Sequence, residues 1–212
     1  MGASTNAIDG RPLGRRAQQT RRRLLDATAD LLESHGIREL RVVEVARKVG
    51  TSPATFYQYF RSVDEAVLVL AEELTEELHP LTELLERPWN GKGGLETARH
   101  MVDGFIRYWD RHRAVLRVRN LAAEEGDPRY REVRNRTLST ITDRLAKQIA
   151  DNQKASRVGT EITPYAAAAA MVSMMERMAA HHFDLEPRGV RRGELVETTA
   201  RILHQTVTGR RN

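Results

Sequence analysis

The stretch that decides the fold runs Val42-Val43-Glu44-Val45-Ala46-Arg47-Lys48-Val49-Gly50-Thr51-Ser52-Pro53-Ala54-Thr55-Phe56-Tyr57-Gln58-Tyr59-Phe60. Val42, Val45, Ala46 and Val49 recur at helical spacing, which predicts a short helix over 42–49 with those four side chains inward. Gly50 stands where a helix closes in the left-handed conformation that glycine adopts without a Cβ clash. Ser52 carries the hydroxyl of a helix N-cap, and Pro53 suits a first helical position, so a further helix begins only about three residues later. Two short helices joined by such a turn form a helix-turn-helix. Ala46 has to be small where the second helix crosses it. Phe56 anchors that second helix and leaves Ala54, Thr55, Tyr57, Gln58 and Tyr59 toward solvent or a groove. A helical hairpin inside an ordinary bundle gives no reason for two tyrosines and a glutamine to crowd one outward face.

Working outward toward the N-terminus, a helix is expected from about Ala17 to Ser34, with Leu24, Thr28, Leu31, Leu32 and His35 on one face and Gly36 closing it in αL. Ile37 and Leu40 then turn back into the core. Ahead of that helix and through its first turns the charge is concentrated. Residues 1–23 hold six arginines (Arg11, Arg15, Arg16, Arg21, Arg22 and Arg23) against Asp9, a net of +5 that equals the net charge of the whole chain. The other 189 residues sum to zero. A terminal arm that carries the entire excess charge is arranged to attract a polyanion.

The remainder keeps a helical period with no sustained β alternation, so the chain of 212 residues is expected to be all-α with about nine helices. Ser62 and Glu65 form a capping box for a fourth helix near Val63, whose stripe is Val67, Leu70, Ala71, Leu74 and Leu78 until Pro80 ends or kinks it. The run Arg-Pro-Trp-Asn-Gly-Lys-Gly-Gly at 87–94 is a loop. Helices follow at about 95–111, with Leu95, Ala98, Val102, Phe105, Ile106 and Trp109 apolar, and at about 114–124. After the Gly126-Asp127-Pro128 break, a helix at about 129–152 repeats Tyr130, Val133, Thr137, Ile141, Leu145 and Ile149; 154–162 is a loop. The helix expected over 164–183 has one small edge (Ala166, Ala170, Ser173, Ala180) and one of Met171, Met174, Met175 and Met178. The last, at about 194–207, is apolar over a broad arc (Leu195, Val196, Thr199, Ile202, Leu203, Thr206, Val207), which a second copy of the chain would cover. Domains are read as a basic arm at 1–16, a helix-turn-helix DNA-binding unit at 17–62 and a helical unit with a self-association face at 63–212.

Composition excludes several classes. With no cysteine there are no disulfides, thiolate nucleophiles or cysteine-held metals, which fits a cytoplasmic protein. The longest nearly apolar stretch, 165–175, falls short of the ~20 residues of a bilayer span, and the first 20 residues lack the apolar core of a secretory signal. Catalysis has little to work with. His181-His182-x-Asp184 suggests metal ligands or an acid–base group, yet adjacent helical residues point about 100° apart and do not chelate one ion well. The glycines at 91–94 lack the Gly-Lys-Ser/Thr ending of a phosphate loop, and no serine sits in a nucleophile elbow. No enzyme, cofactor or metal site is expected; an architectural DNA-binding protein is the rival to a regulator.

The quoted run, followed by Ser62-Val63-Asp64-Glu65, resembles the DNA-binding domain of the TetR (tetracycline-repressor) family of transcriptional regulators. The resemblance spans about 25 residues, or about 45 with the first helix, and places Thr51, Ser52, Ala54, Thr55, Tyr57, Gln58 and Tyr59 at or beside DNA, with Tyr59 on phosphate. Two positions depart from the family pattern. Val63 replaces a frequent lysine and loses one phosphate contact, while Arg41 replaces a frequent threonine cap and adds one. The chemistry agrees: Gln58 offers an amide pair to adenine, Ala54 and Thr55 meet a thymine methyl or phosphate, and Tyr57 bonds a backbone oxygen or base edge. Arg21, Arg22 and Arg23 are candidate phosphate contacts, and Arg11, Arg15 and Arg16 reach a minor groove. The resemblance also implies a homodimer through the last two helices, a near-palindromic double-stranded operator, a small-molecule effector and no membrane partner. The Trp109-x-x-His112-x-Ala114-Val115 and Met175-Glu176-Arg177 stretches resemble the subgroup of the mycobacterial repressor of ethionamide activation. That subgroup's elongated lipophilic pocket would fall on Phe105, Trp109, Met171, Met175 and Glu176.

Overall fold

The computed structural model describes residues 13–91 and 93–209; Arg11, with most of the expected arm, lies outside them. Among the described residues there are nine α-helices, one 3₁₀ segment and no strand, which is the all-α fold expected. The chain forms two compact units. The first runs up to Glu76 and takes in His112–Arg134; the second comprises Glu77–Arg111 and the chain from Asn135 onward.

In the first unit, α1 (Arg15–Leu32) buries Leu24, Leu25, Ala27, Thr28 and Leu32, and Thr28 satisfies its hydroxyl by donating to Leu24 O at 2.8 Å. The helix ends differently from expectation. The Leu31 carbonyl accepts from both Ser34 and His35 N–H in a tightened last turn, and Gly36 is not among the residues with positive φ. The Gly36 carbonyl instead accepts from Glu39 and Leu40. The next element, α2 (Val42–Val49), buries Val45, Ala46 and Val49 and closes at Gly50, φ 74° and ψ 38°. The short α3 (Pro53–Tyr57) follows, and α4 (Val63–Glu77) carries the anticipated stripe inward as far as Leu74, with Val63 and Ala66 added; Leu78 is buried just past its end. Ser62 Oγ accepts from Glu65 N at 3.1 Å, capping it as read.

Pro80 does more than stop α4. It lies in the first turn of a separate short helix, α5 (His79–Glu83), because a residue without an N–H is tolerated where no intrahelical bond is needed. The helices expected at 95–111 and 114–124 form one element, α6 (Gly94–Glu124), interrupted by His112 with non-helical φ −120° and ψ 20°. Within the first unit the start of α7 (Pro128–Lys154) is tied to the start of α4: Tyr130 Oη donates to Asp64 O at 2.9 Å and Arg129 Nη2 lies 2.9 Å from Asp64 Oδ2.

The second unit holds the apolar stripe of α7, where Thr137, Ile141, Leu145 and Ile149 are buried. Its least foreseen feature is Trp89, fully buried although it lies in the 87–94 loop. Gln148 fixes that loop by accepting from Trp89 N at 3.1 Å and donating to Leu85 O at 2.9 Å. Gly94 opens α6 beside it, and any Cβ there would collide with the Trp89 carbonyl. The helix α8 (Pro164–His181) stops two residues before expectation, and a 3₁₀ segment, His182–Arg188, continues the chain around Pro187. Last comes α9 (Arg192–Thr208), with Leu195, Thr199, Leu203 and Val207 inward and Ile202 exposed.

Candidate nucleic-acid interface

A five-residue helix has no stability of its own, so α3 exists because its surroundings hold it. Ser52 Oγ accepts from Thr55 N at 3.2 Å, and its hydroxyl lies 3.1 Å from that of Thr55. The turn before it is closed by Thr51 N donating to Ala46 O at 2.9 Å. Phe56 is fully buried and packs on Phe60, ring centroids 5.4 Å apart. Arg21 covers the outer side of Phe60, its guanidinium 5.2 Å from the ring centroid. Partial burial lowers the pKa of that guanidinium.

On this anchor the opposite face is open. Tyr57 is 53% exposed, its ring edge-on to Phe56 at 6.0 Å. Ser52, Ala54 and Gln58 are exposed, while Thr51, Thr55 and Tyr59 are half-buried. Seven of the residues expected to read DNA thus lie on one short run, with donors, acceptors and methyl groups uncovered. Arg41 is exposed at the start of α2, its backbone N–H donating to Glu44 Oε2 at 2.9 Å.

Apart from Arg21, the basic residues of α1 divide into three kinds. Arg15 and Arg16 lie exposed in the first turn of the helix, not ahead of it. Arg22 is engaged by Asp26 at 2.7 Å and Glu73 at 2.6 Å, so a phosphate has to replace a carboxylate there. Arg23 Nη2 donates to Val49 O at 2.7 Å and thereby caps the last turn of α2, where a cation is favoured by the helix dipole. This bracing role was not visible in the sequence, since Arg23 is one of three adjacent arginines. Arg47 and Arg61 add exposed cations near the turn.

Elsewhere, Phe105 and Trp109 on α6, and Met171, Met175 and Glu176 on α8, are all buried within the second unit. Trp109 Nε1 is buried with no hydrogen-bond partner among the described residues. The adjacent histidines face different groups: His181 Nδ1 lies 3.2 Å from Asp184 Oδ2, whereas the buried His182 places Nε2 2.7 Å from Asp110 Oδ1. Among the described residues no group of three or more acidic, histidine or cysteine side chains could hold a metal, and no helix is long and apolar enough to cross a membrane.

Residues 24–67 match the family described as bacterial regulatory proteins, tetR family, and residues 81–212, more than half the chain, match the tetracyclin repressor-like C-terminal domain. The chain belongs to the TetR family. TetR-family proteins are DNA-binding transcriptional regulators, and this one is 24% identical over 189 residues, 89% of this chain and 87% of the other, to an uncharacterized HTH-type transcriptional regulator of Haemophilus influenzae. Two solved structures share the fold. The transcriptional regulator FadR of Bacillus subtilis, in complex with stearoyl-CoA, gives a TM-score of 0.64 at 13% identity, covering 90% of this chain and 99% of that one. SmeT, the repressor of a Stenotrophomonas maltophilia multidrug efflux pump, in complex with triclosan, gives 0.61 at 16%, covering 89% and 90%.

Proposed function

We propose that this TetR-family protein is a homodimeric repressor that holds a near-palindromic operator and is released from it by a small lipophilic effector. The observation that carries the reading is the pairing of a fully buried Phe56 with an exposed Tyr57 on the same five-residue helix and an exposed Gln58 at its C-cap. Buried aromatics fix the helix, and the uncovered amide and phenol are the groups that distinguish base edges in a major groove. Two such helices related by a dimer axis meet half-sites about one duplex turn apart. The second copy covers α8 and α9, where Ala166, Ala170 and Ser173 are exposed together with Tyr165 and Ile202, and with Phe183 of the 3₁₀ segment between the two helices.

The effector reading rests on Phe105, Trp109, Met171, Met175 and Glu176, and on the lipophilic ligands held by FadR and SmeT. It agrees with the resemblance to the ethionamide-activation repressor. Methionine side chains repack around irregular apolar ligands, and the unpartnered Trp109 Nε1 offers such a ligand one donor. Release follows from population shift: the effector weakens DNA binding only by its differential affinity for the conformation with wrongly spaced heads. Selection of bound duplexes from a random pool, followed by footprinting of the winner, tests this. A dimer-sized footprint over a near-palindrome is the expected result; uniform binding of all duplexes would favour an architectural role, and no binding would refute both.

A further inference from the structure

We propose that a polar cleft between the 84–90 segment and the C-terminal half of α7 is a second ligand site, which takes a small anion bearing a carboxylate or a phosphate. The cleft has a volume of about 240 Å³ and lies wholly within the second unit. None of the five residues assigned to the lipophilic effector lines it.

On α7 the core stripe passes through Ile141, Leu145 and Ile149, and a neighbouring stripe, Arg144, Gln148 and Asn152, is polar at the same four-residue spacing. Its two amides build a rigid back wall. Besides its bonds to Trp89 N and Leu85 O, Gln148 donates to Arg87 O at 3.2 Å. Asn152 is buried and donates to Gln148 O and to Val207 O, both at 3.0 Å. The second of those bonds carries the wall to the last turn of α9.

The charged groups at the rim are asymmetric. Arg144 is braced by donating to Thr82 O, and its side chain is 29% exposed. Arg157 Nη1 donates to Asn152 Oδ1 at 3.3 Å, a long bond at the mouth. Their acidic neighbours are looser: Glu86, 2.8 Å from Arg144, is 64% exposed, and Asp151, 2.8 Å from Lys147, is 51% exposed. Exposed ion pairs of this kind contribute little and exchange readily. A ligand anion therefore meets a fixed guanidinium with two further cations beside it, while Glu86 and Asp151 turn out to solvent. Leu85 and Pro88 line the same cleft and leave room for a short apolar portion of the ligand.

The test is thermal melting of the full-length protein at constant ionic strength, with chloride replaced stepwise by inorganic phosphate or by acetate, and with tetramethylammonium chloride as a third arm. At ten times Kd, a bound anion raises Tm by about 3–6 °C for a chain of this size. Phosphate stabilises most proteins by exclusion from their surface, so the readout is the saturable part of the rise that a variant removes. A saturable rise with phosphate or with acetate is expected and identifies the headgroup. It should vanish in Arg144→Gln/Lys147→Gln/Arg157→Gln and persist in Arg136→Gln, which alters an exposed arginine of α7 outside the cleft. If the triple variant does not fold, Lys147→Gln alone should raise the half-saturating concentration at least threefold. No saturable rise, an equal rise in wild type and variant, or a rise with tetramethylammonium alone would overturn the proposal. No DNA or lipophilic effector is present, so the outcome is independent of the repressor reading.

Discussion

The Phe56, Tyr57 and Gln58 triplet permits a prediction in which stability and recognition separate between adjacent residues. Tyr57→Ala with Gln58→Ala removes two exposed side chains from the end of α3 and its C-cap, and because Gln58 closes the helix through its backbone N–H, each exposed substitution changes stability by about 0.5 kcal/mol or less. Melting temperature and helical circular dichroism should therefore be almost unchanged. Loss of a good base contact weakens binding by about 1–3 kcal/mol per half-site. A dimer loses it twice, so specific affinity falls by about 2–6 kcal/mol, roughly thirty-fold to twenty-thousand-fold. Affinity for a scrambled duplex should hardly move, because phosphate contacts remain. Fluorescence anisotropy on the selected operator and on its scrambled form, at one fixed salt concentration, measures both. Phe56→Ala is the contrasting control: emptying a fully buried aromatic site costs about 3–5 kcal/mol and should lower Tm before any DNA is added. If the double variant binds the selected operator within threefold of wild type while remaining folded, α3 does not read bases and the argument fails.

Other outcomes follow from single sites. Gly50→Ala meets no atom within 4 Å but keeps φ at 74°, so it should cost about 1–2 kcal/mol of backbone strain and lower Tm by about 2–8 °C in a thermal melt. Gly94→Ala drives a Cβ into the Trp89 carbonyl, and calorimetry should show a larger loss than for Gly50→Ala, with red-shifted tryptophan emission as Trp89 leaves its site. Arg99 bonds Glu197 on α9 at 2.6 Å and, chiefly through that bond, holds its carboxyl down to about 2 from 4.5. Because the folded chain binds fewer protons than the unfolded one across that interval, this contribution is whole above pH 4.5 and is lost as pH falls toward 2. Glu197→Gln should flatten that part of the acid-unfolding curve. Finally, Ile202→Glu with Ala170→Glu, both at exposed positions, should halve the mass measured by light scattering and abolish operator binding without unfolding the chain.

How much of this the sequence disclosed depended on whether a feature is local. The stripe from Tyr130 to Ile149 was legible because a helix repeats every 3.6 residues whatever it packs against. The Gly50 turn and the Ser52 cap were legible because each is settled within five residues. Gly36 misled for the opposite reason: glycine permits αL without requiring it, and the tightened turn at Leu31 satisfied the helix end first. Trp89 lies among Pro, Asn and Gly, a composition that signals an exposed loop, whereas its partners Gln148, 59 residues away, and His204, 115 residues away, are too distant in sequence to announce that it is fastened down. The three arginines at 21–23 look alike in sequence. Their distinct roles, over Phe60, against Glu73 and on the Val49 carbonyl, are assigned by residues 26 to 51 positions further along.

The braces around α3 explain why its exposed face can consist of residues that contribute nothing to the core. A helix this short makes almost no internal hydrogen bonds, so its position must come from elsewhere: the Ser52 cap at one end, Phe56 and Phe60 beneath, and Arg23 holding the preceding helix at Val49. Phe56 and Phe60 are buried, and the exposed Ser52 and Arg23 direct their polar groups to the Thr55 N–H and the Val49 carbonyl. The outward positions are consequently released from packing constraints, and exchanging Ala54, Tyr57 or Gln58 should change the operator sequence without changing the fold. A scaffold in which anchor and reader were the same residue could not be retuned in this way. The prediction is therefore specific: substitutions at these three positions, selected against new half-sites, should yield folded variants with altered base preference, whereas comparable libraries at Ser52, Phe56 and Phe60 should yield chiefly unfolded chains.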